Sequence, residues 1–234
     1  MRKIFDFHGG IHPPENKHQS LVQGIRSAGI PDLLIIPLSQ HVGAPSSPIV
    51  SIGEQVLGGQ MIAEAQGLVS VPQHAPTSGR VIAIEERAIP HPSGFRALCI
   101  VIEPDGADDW VEQEGVADYH RETPQHLLEI IRNAGIAGMG GAGFPAAVKL
   151  ASDKPIETLI INGTECEPYI TADDSLMRER AELIVSGALI MQHIIQPGAT
   201  VIGVEDNKPE SIAAIEAAIA DTGVELATFP TKYP

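Results

Sequence analysis

A chain of 234 residues that is 43% apolar and 4% aromatic can bury one large core or two smaller ones. Its formal net charge is −15, with acids spread through both halves and no basic patch, which argues against nucleic acid as a partner and requires any bound phosphate to be held locally. Two distant cysteines, Cys99 and Cys166, give no disulfide framework and fit a reducing compartment; no signal peptide is visible, and the longest mostly apolar run, 183–195, is too short for a bilayer.

Residues 1–29 read as an N-terminal arm. Within it His8, His12, Glu15 and His18 are spaced closely enough to suggest metal ligands, but Pro13 and Pro14 forbid one helix from presenting them together. A turn-rich, solvated arm accounts for the same residues, and no metal is assigned. A short helix is predicted over 16–25. From 30 to 104 the texture changes to short β-branched runs broken by Gly, Pro and Ser. Strands are predicted at 33–37, 49–52, 60–64, 67–71, 79–84 and 98–102, which makes a compact β-sandwich or barrel. The segments V-L-G-G-Q-M-I-A-E at 56–64 and A-P-T-S-G-R-V at 75–81 resemble the biotinyl/lipoyl carrier fold, a barrel-sandwich hybrid. Such carriers place a modifiable lysine on the hairpin between these segments. Here the hairpin reads A-Q-G-L-V-S and no lysine occurs between Lys17 and Lys149, so the resemblance implies the fold without the swinging arm.

The acid-rich stretch 105–122, with Trp110, reads as a linker, and 123–234 as an α/β domain. Thr123 caps and Pro124 opens a helix whose apolar face is Leu127, Leu128, Ile130 and Ile131. Next come G-I-A-G-M-G-G-A-G-F-P-A-A-V-K at 135–149 and a short helix over 145–152. Strands at 157–162, 199–204 and 224–229 alternate with helices at 175–195 and 209–220, the longer one burying Leu176, Leu183, Ile184, Leu189, Ile190 and Ile194. This alternation implies a parallel sheet whose ligand sits beyond the carboxyl ends of its strands. The expected whole is an α+β two-domain protein, a barrel-sandwich hybrid followed by a Rossmann-like α/β domain.

Two segments carry chemistry. The bare amides of Gly138, Gly140, Gly141 and Gly143 can converge on an anion, Pro145 starts a helix N-terminus, and Lys149 supplies a full positive charge, so phosphate is the natural ligand. Gly138, Gly140 and Gly143 also satisfy G-x-G-x-x-G, but a helix rather than a strand precedes them, which disfavours the standard dinucleotide fingerprint. The second segment is the strand end N-G-T-E-C-E-P-Y at 162–169. Asn162 and Thr164 suit a ribityl chain or ring heteroatoms, whereas Glu165 and Glu167 oppose phosphate and suit sugar hydroxyls or an amide. Glu167, before Pro168, reads equally well as a strand-end turn residue. Cys166 has no partner cysteine nearby and is not read as a redox thiol.

G-M-G-G-A-G-F-P, Lys149 and I-N-G-T-E-C-E-P-Y are similar to the flavin- and NADH-binding subunit of respiratory complex I, whose loop reads G-R-G-G-A-G-F-P and whose strand end reads N-A-D-E-S-E-P. Taken with F-H-G-G-I-H-P-P-E-N-K and A-P-T-S-G, in that order, they more closely resemble the RnfC family of the Rnf electron-transport complexes. The resemblance implies FMN held by Gly138, Gly140, Gly141, Gly143, Phe144, Lys149, Asn162, Thr164 and Glu165, with Glu167 in the catalytic position near the nicotinamide of NADH. Hydride would pass from NADH to FMN, and single electrons would leave for 4Fe-4S clusters. It further implies an electron-input subunit of a membrane-bound NADH:ferredoxin oxidoreductase coupled to ion transport. Such a subunit is peripheral, on the cytoplasmic side of the bacterial inner membrane, with the other subunits of the Rnf complex as partners. The clusters belong to a C-terminal part of the family that this sequence, which has no C-x-x-C, does not contain; it reads as a fragment and is expected to be inactive alone. Met139, Thr164 and Cys166 depart from the complex I pattern and put its nucleotide affinity in question. A cobalamin reductase of the same architecture and a non-catalytic docking module are the alternatives.

Overall fold

The computed structural model describes residues 5–6, 8–91, 93–139, 143–152 and 154–233. The chain divides into two compact units, one of residues 28–152 and the other of residues 1–27 together with 153–234.

The first unit is antiparallel. β1 (Leu34–Pro37), β3 (Gln55–Val56), β6 (Gly79–Ala88) and β7 (Arg96–Pro104) form one sheet in the order β1-β7-β6-β3. A second sheet joins β2 (Ser47–Pro48), β4 (Met61–Glu64) and β5 (Gln73–His74) in the order β2-β4-β5. β7 lies between β1 and β6, and its centre, Cys99 to Ile102, is wholly buried, as a continuous apolar run in a central strand should be. Leu38, Val50, Val56, Ile62, Val81, Ile100 and Ile102 close the core between the sheets. This is the sandwich that the carrier-like segments imply.

Two expected strands differ. Pairing with β4 is made by Ser47 and Pro48, after which Ile49 adds one bond to Ile62 (3.0 Å) and the chain turns at 52–53 rather than running on as a strand over 49–52. Residues 67–71 form no ladder either. The Val69 carbonyl accepts from Ala44 (3.0 Å), and the Val71 carbonyl accepts from Ser46 Oγ (2.7 Å), so a neighbouring loop satisfies this backbone. The acid-rich stretch after β7 is laced to the sandwich: Asp105 accepts from Ser78 Oγ and Asp108 from Thr77 Oγ1, both at 2.7 Å, and Trp110 lies against Gly58. A Cβ on Gly58 would come within 2.7 Å of that ring. α1 (Pro124–Asn133) starts as expected, with the Thr123 side chain accepting from the His126 amide. It ends at Gly135, whose φ of +71° and whose 2.6 Å clearance from the Pro72 carbonyl leave no room for a Cβ. α2 is short, Ala146–Leu150.

The second unit is a parallel sheet, β10-β9-β8, built from β8 (Thr158–Gly163), β9 (Ala199–Glu205) and β10 (Glu225–Phe229), with α3 (Ala172–Ile195) and α4 (Pro209–Ala218) in the connections. Met177, Ala181 and Val185 of α3 pack with Ile202, Val204, Ile212, Ile215 and Val224. The expected face holds in part: Ile184, Leu189 and Ile194 are at least partly buried, but Leu176 and Leu183 are 43% and 67% exposed. The buried stripe runs instead through Met177, Ala181 and Val185, four residues apart, on either side of a kink at Arg180 (φ −138°, ψ 30°). The N-terminal arm differs more. No helix forms over 16–25: the chain makes a turn at 18–21, and the Ile25 amide donates to the Glu179 carboxylate instead of to a helical carbonyl. The arm is turn-rich and mostly exposed, His8, His12, Glu15 and His18 included, as expected, but it is tied down: the Phe5 amide donates to the Thr228 carbonyl (3.0 Å) and Ile11 pairs with Tyr233. No helix among the described residues is long and apolar enough to cross a membrane.

Candidate functional site

In the unit of 28–152 the glycine segment is pinned at both ends. The Gly138 amide donates to the Phe144 carbonyl (3.0 Å), the Ala146 amide to the Ile136 carbonyl (2.9 Å) and the Val42 amide to the Gly143 carbonyl (2.6 Å). Met139, 99% exposed, stands out from it. A Cβ at Gly143 would meet ordinary contacts, the nearest at 3.7 Å, so packing inside this unit does not demand glycine there. Lys149 is exposed, with its ammonium 5.9 Å from the centre of the Phe144 ring. Four expected groups are thus neighbours: Gly138, Gly143, Phe144 and Lys149. Gly140 and Gly141 lie outside the described residues. α2 has five residues and Lys149 falls in its last turn, so the expected help from a helix N-terminus is small and the positive charge rests on the lysine.

In the other unit the carboxyl ends of β8 and β9 bring Asn162, Thr164, Glu165 and Glu167 together. Exposed Asn162 turns the chain out of the strand, its Oδ1 accepting from both the amide (3.1 Å) and the hydroxyl of Thr164. Gly163 is demanded by packing: a Cβ there would sit 2.8 Å from both the Gly203 carbonyl and Met177 Sδ. Glu165 is buried and caps α3, its carboxylate accepting from the amides of Asp173 (2.8 Å) and Asp174 (3.3 Å), while its own amide donates to Glu205 Oε2 (2.9 Å). Buried Lys208 donates to the Glu205 carboxylate, to Asn207 Oδ1 (3.0 Å) and to the Glu165 carbonyl (3.3 Å). Lys17, from the arm, donates to the carbonyls of Glu165 (2.6 Å), Glu167 (3.0 Å) and Ile170 (2.6 Å) and stands 3.9 Å from Glu165 Oε2. The buried carboxylates of Glu165 and Glu205 are thus met by the buried ammoniums of Lys17 and Lys208, and a third buried carboxylate, that of Asp174, accepts from the Ser211 hydroxyl; each lone buried ion would cost several kcal/mol. The side chain of Glu167 is exposed, and its backbone lies in the turn before Tyr169. Tyr169 has φ +70°, a conformation costing of order 1–3 kcal/mol, which bonds to the Glu15 carbonyl (2.9 Å) and from Ser20 Oγ (2.7 Å) hold in place.

Burial, and then the carboxylates of Glu167 and Glu205, push the Cys166 thiol above its ordinary value. A thiol raised in this way is less readily ionised. Partial burial, and then Glu167, likewise raise the carboxyl of Asp173. Asp173 lines a hollow of about 170 Å³ with Ile161, Asn162, Gly163, Leu176 and Met177. Enclosed ligand sites run to roughly 300–1,000 Å³, so this hollow takes part of a ligand rather than the whole. A larger hollow of about 550 Å³ is lined by α3 and α4 residues such as Arg180, Leu183 and Ala217, with no strand end and none of the polar groups above. Among the described residues no group of three or more His, Cys, Asp and Glu side chains could hold a metal ion. Sequence reasoning missed Lys17, Asp173, Glu205 and Lys208. E-D-N-K, just past the strand expected over 199–204, marked the last two, since polar groups at a strand's carboxyl end face the ligand side of such a sheet.

Residues 5–107 match the RnfC barrel sandwich hybrid domain and residues 131–234 the Nuo51 FMN-binding domain, which agrees with both halves of the expected fold. Proteins described as the C subunit of an ion-translocating oxidoreductase complex are 52% identical over 233 residues in Vibrio cholerae serotype O1, 51% over 234 in Serratia proteamaculans and 53% over 234 in Yersinia pseudotuberculosis, each alignment covering 99% of this chain. The chain belongs to the RnfC family of ion-translocating oxidoreductase complexes. This RnfC-family chain spans 30% of the length of the Vibrio relative and 33% of that of the Serratia and Yersinia relatives. Two crystal structures of an NAD+-reducing nickel–iron hydrogenase, air-oxidized and H2-reduced, overlay on 49% and 47% of the RnfC-family chain and on 22% and 21% of their own, with TM-scores of 0.41 and 0.40 at 23% and 28% identity.

Proposed function

We propose that residues 131–234 bind FMN and that the chain serves electron transport as part of the RnfC component of an ion-translocating oxidoreductase complex. The observation that carries this reading is the match of that stretch to an FMN-binding domain, because the stretch takes in both the glycine segment and the polar strand end. The residues present fit the group. Glu205 Oε1, buried at the carboxyl end of β9 and without a partner among the described residues, is an acceptor that a ligand N–H or O–H would satisfy, and FMN carries both.

In this reading Gly138, Gly140, Gly141 and Gly143 let the flavin nucleotide approach the main chain, Phe144 borders the NADH side and Lys149 meets the phosphate. Asn162 and Thr164 meet the ribityl chain or ring, Glu165 holds the strand end to α3 beside it, and exposed Glu167 faces the nicotinamide. When bound, FMN supplies the change from two-electron to one-electron transfer; the protein orients it and its donor. NADH is the proposed donor. Iron–sulfur clusters in the part of the relatives' length that this chain does not span are the proposed next acceptors, leading to ferredoxin and coupled to ion transport. The proposed setting is peripheral, on the cytoplasmic side of the membrane beside the other subunits of the complex.

The test is to titrate the full-length protein with FMN and then add NADH without oxygen. Stoichiometric binding followed by bleaching of the flavin absorption is expected. A full-length protein that takes up no FMN would sink the reading and leave a docking role.

A further inference from the structure

We infer that Lys17 is a positioning residue of the strand-end site: its ammonium sets the path of loop 164–170 and so makes the N-terminal arm part of that site. An ammonium has three donors, and here each ends on a main-chain carbonyl of one short loop, those of Glu165, Glu167 and Ile170, at 2.6, 3.0 and 2.6 Å. These carbonyls are not consecutive, and three dipoles pointing at one spot repel one another without a cation between them. Lys17 is 6% exposed, so water does not share the task. The residues flanking Lys17 act on the same loop, Glu15 and Ser20 both bonding to Tyr169 in its left-handed conformation.

Attachment of the arm does not by itself need this lysine. Phe5 and Ile11 tie the arm to Thr228 and Tyr233, neither of which belongs to the loop, so a buried apolar side chain at position 17 would serve mere anchorage. What the ammonium adds is the shape of the segment that carries Thr164, Glu165 and Glu167. The inference rests on the FMN reading for the identity of the ligand, and on the geometry alone for the hold on the loop.

The test uses full-length protein, wild type and Lys17→Ala, with and without n-propylammonium, which replaces the deleted atoms. Amide hydrogen exchange of 164–170 without flavin should speed up by about tenfold in the variant, and FMN affinity should fall by about tenfold. Propylammonium should restore both, and propanol should not. A purely structural bond would give faster exchange with FMN affinity within twofold of wild type, and that result overturns the inference, as does no change in either quantity. Wild-type protein that binds no FMN defeats the proposed function instead, and exchange with its rescue then decides the role of Lys17 alone. Should Lys17→Ala fail to fold, Lys17→Arg keeps the charge but cannot aim three donors at one point; about threefold changes in the same two measurements are expected, and none at all overturns the inference.

Discussion

Glu205 and Lys208 share a place where neither ion is tolerated alone, since both are almost wholly buried and each is the other's main partner. Glu205→Ala should therefore lower stability by about 3–5 kcal/mol in urea unfolding, and the double change Glu205→Leu with Lys208→Met should lie closer to wild type than either single change. Asp173 responds to pH. Its carboxyl is held above the ordinary value of 3.8, so ionising it costs stability in the folded state; the cost is absent below that value and grows as pH rises through the raised one. Asp173→Asn should stabilise the protein at about pH 7 and leave it unchanged at about pH 3, as read from urea midpoints. At the proposed phosphate position, Lys149→Ala should weaken FMN by about fivefold, or roughly 1 kcal/mol, the scale of an exposed charge. The neighbourhood of Phe144 and Lys149 was legible in the sequence because the two stand close together along the chain. The partners of Lys17 lie 148 to 153 positions away, and neither periodicity nor spacing reports on contacts of that range.

Gly163 shows why the strand-end motif keeps a glycine inside an element that otherwise disfavours it. There β8 passes a backbone carbonyl of β9 on one side and Met177 of α3 on the other, so Gly163→Ala should cost about 1–3 kcal/mol by overpacking, measured in denaturant. On α3 the two faces of the helix make a second contrast. Leu183→Gln, on the exposed side, should change stability by no more than about 0.5 kcal/mol, whereas Val185→Ala, two residues on and buried, should cost about 1–2 kcal/mol. Elements bounded by local chemistry were readable: Thr123 with Pro124 fixed the start of α1, and Pro209 the start of α4. The buried face of α3 was readable only in part: Ile184, Leu189 and Ile194 pack inward as expected, but α3 carries apolar side chains on more than one face, and Leu176 and Leu183 fall on an exposed one. β3 and β5 are two residues each, too short to show any alternation.

At the scale of the molecule, the unit that holds the parallel sheet is discontinuous in sequence, its first piece being the arm. Residues 153–234 expressed alone should melt at a lower temperature and less cooperatively than the same residues with 1–27 supplied, because Lys17 and the Ile11–Tyr233 pairing go with the arm. Thermal circular dichroism decides this.

Trp110, the sole tryptophan, rests on Gly58 with its indole N–H bonded to Asp108, inside the unit of 28–152. Ultraviolet emission excited at the indole thus carries a signature of the β-sandwich alone. Quenching or a red shift that precedes the loss of helical ellipticity would time the opening of one half against the other, with no dye, label or added tryptophan.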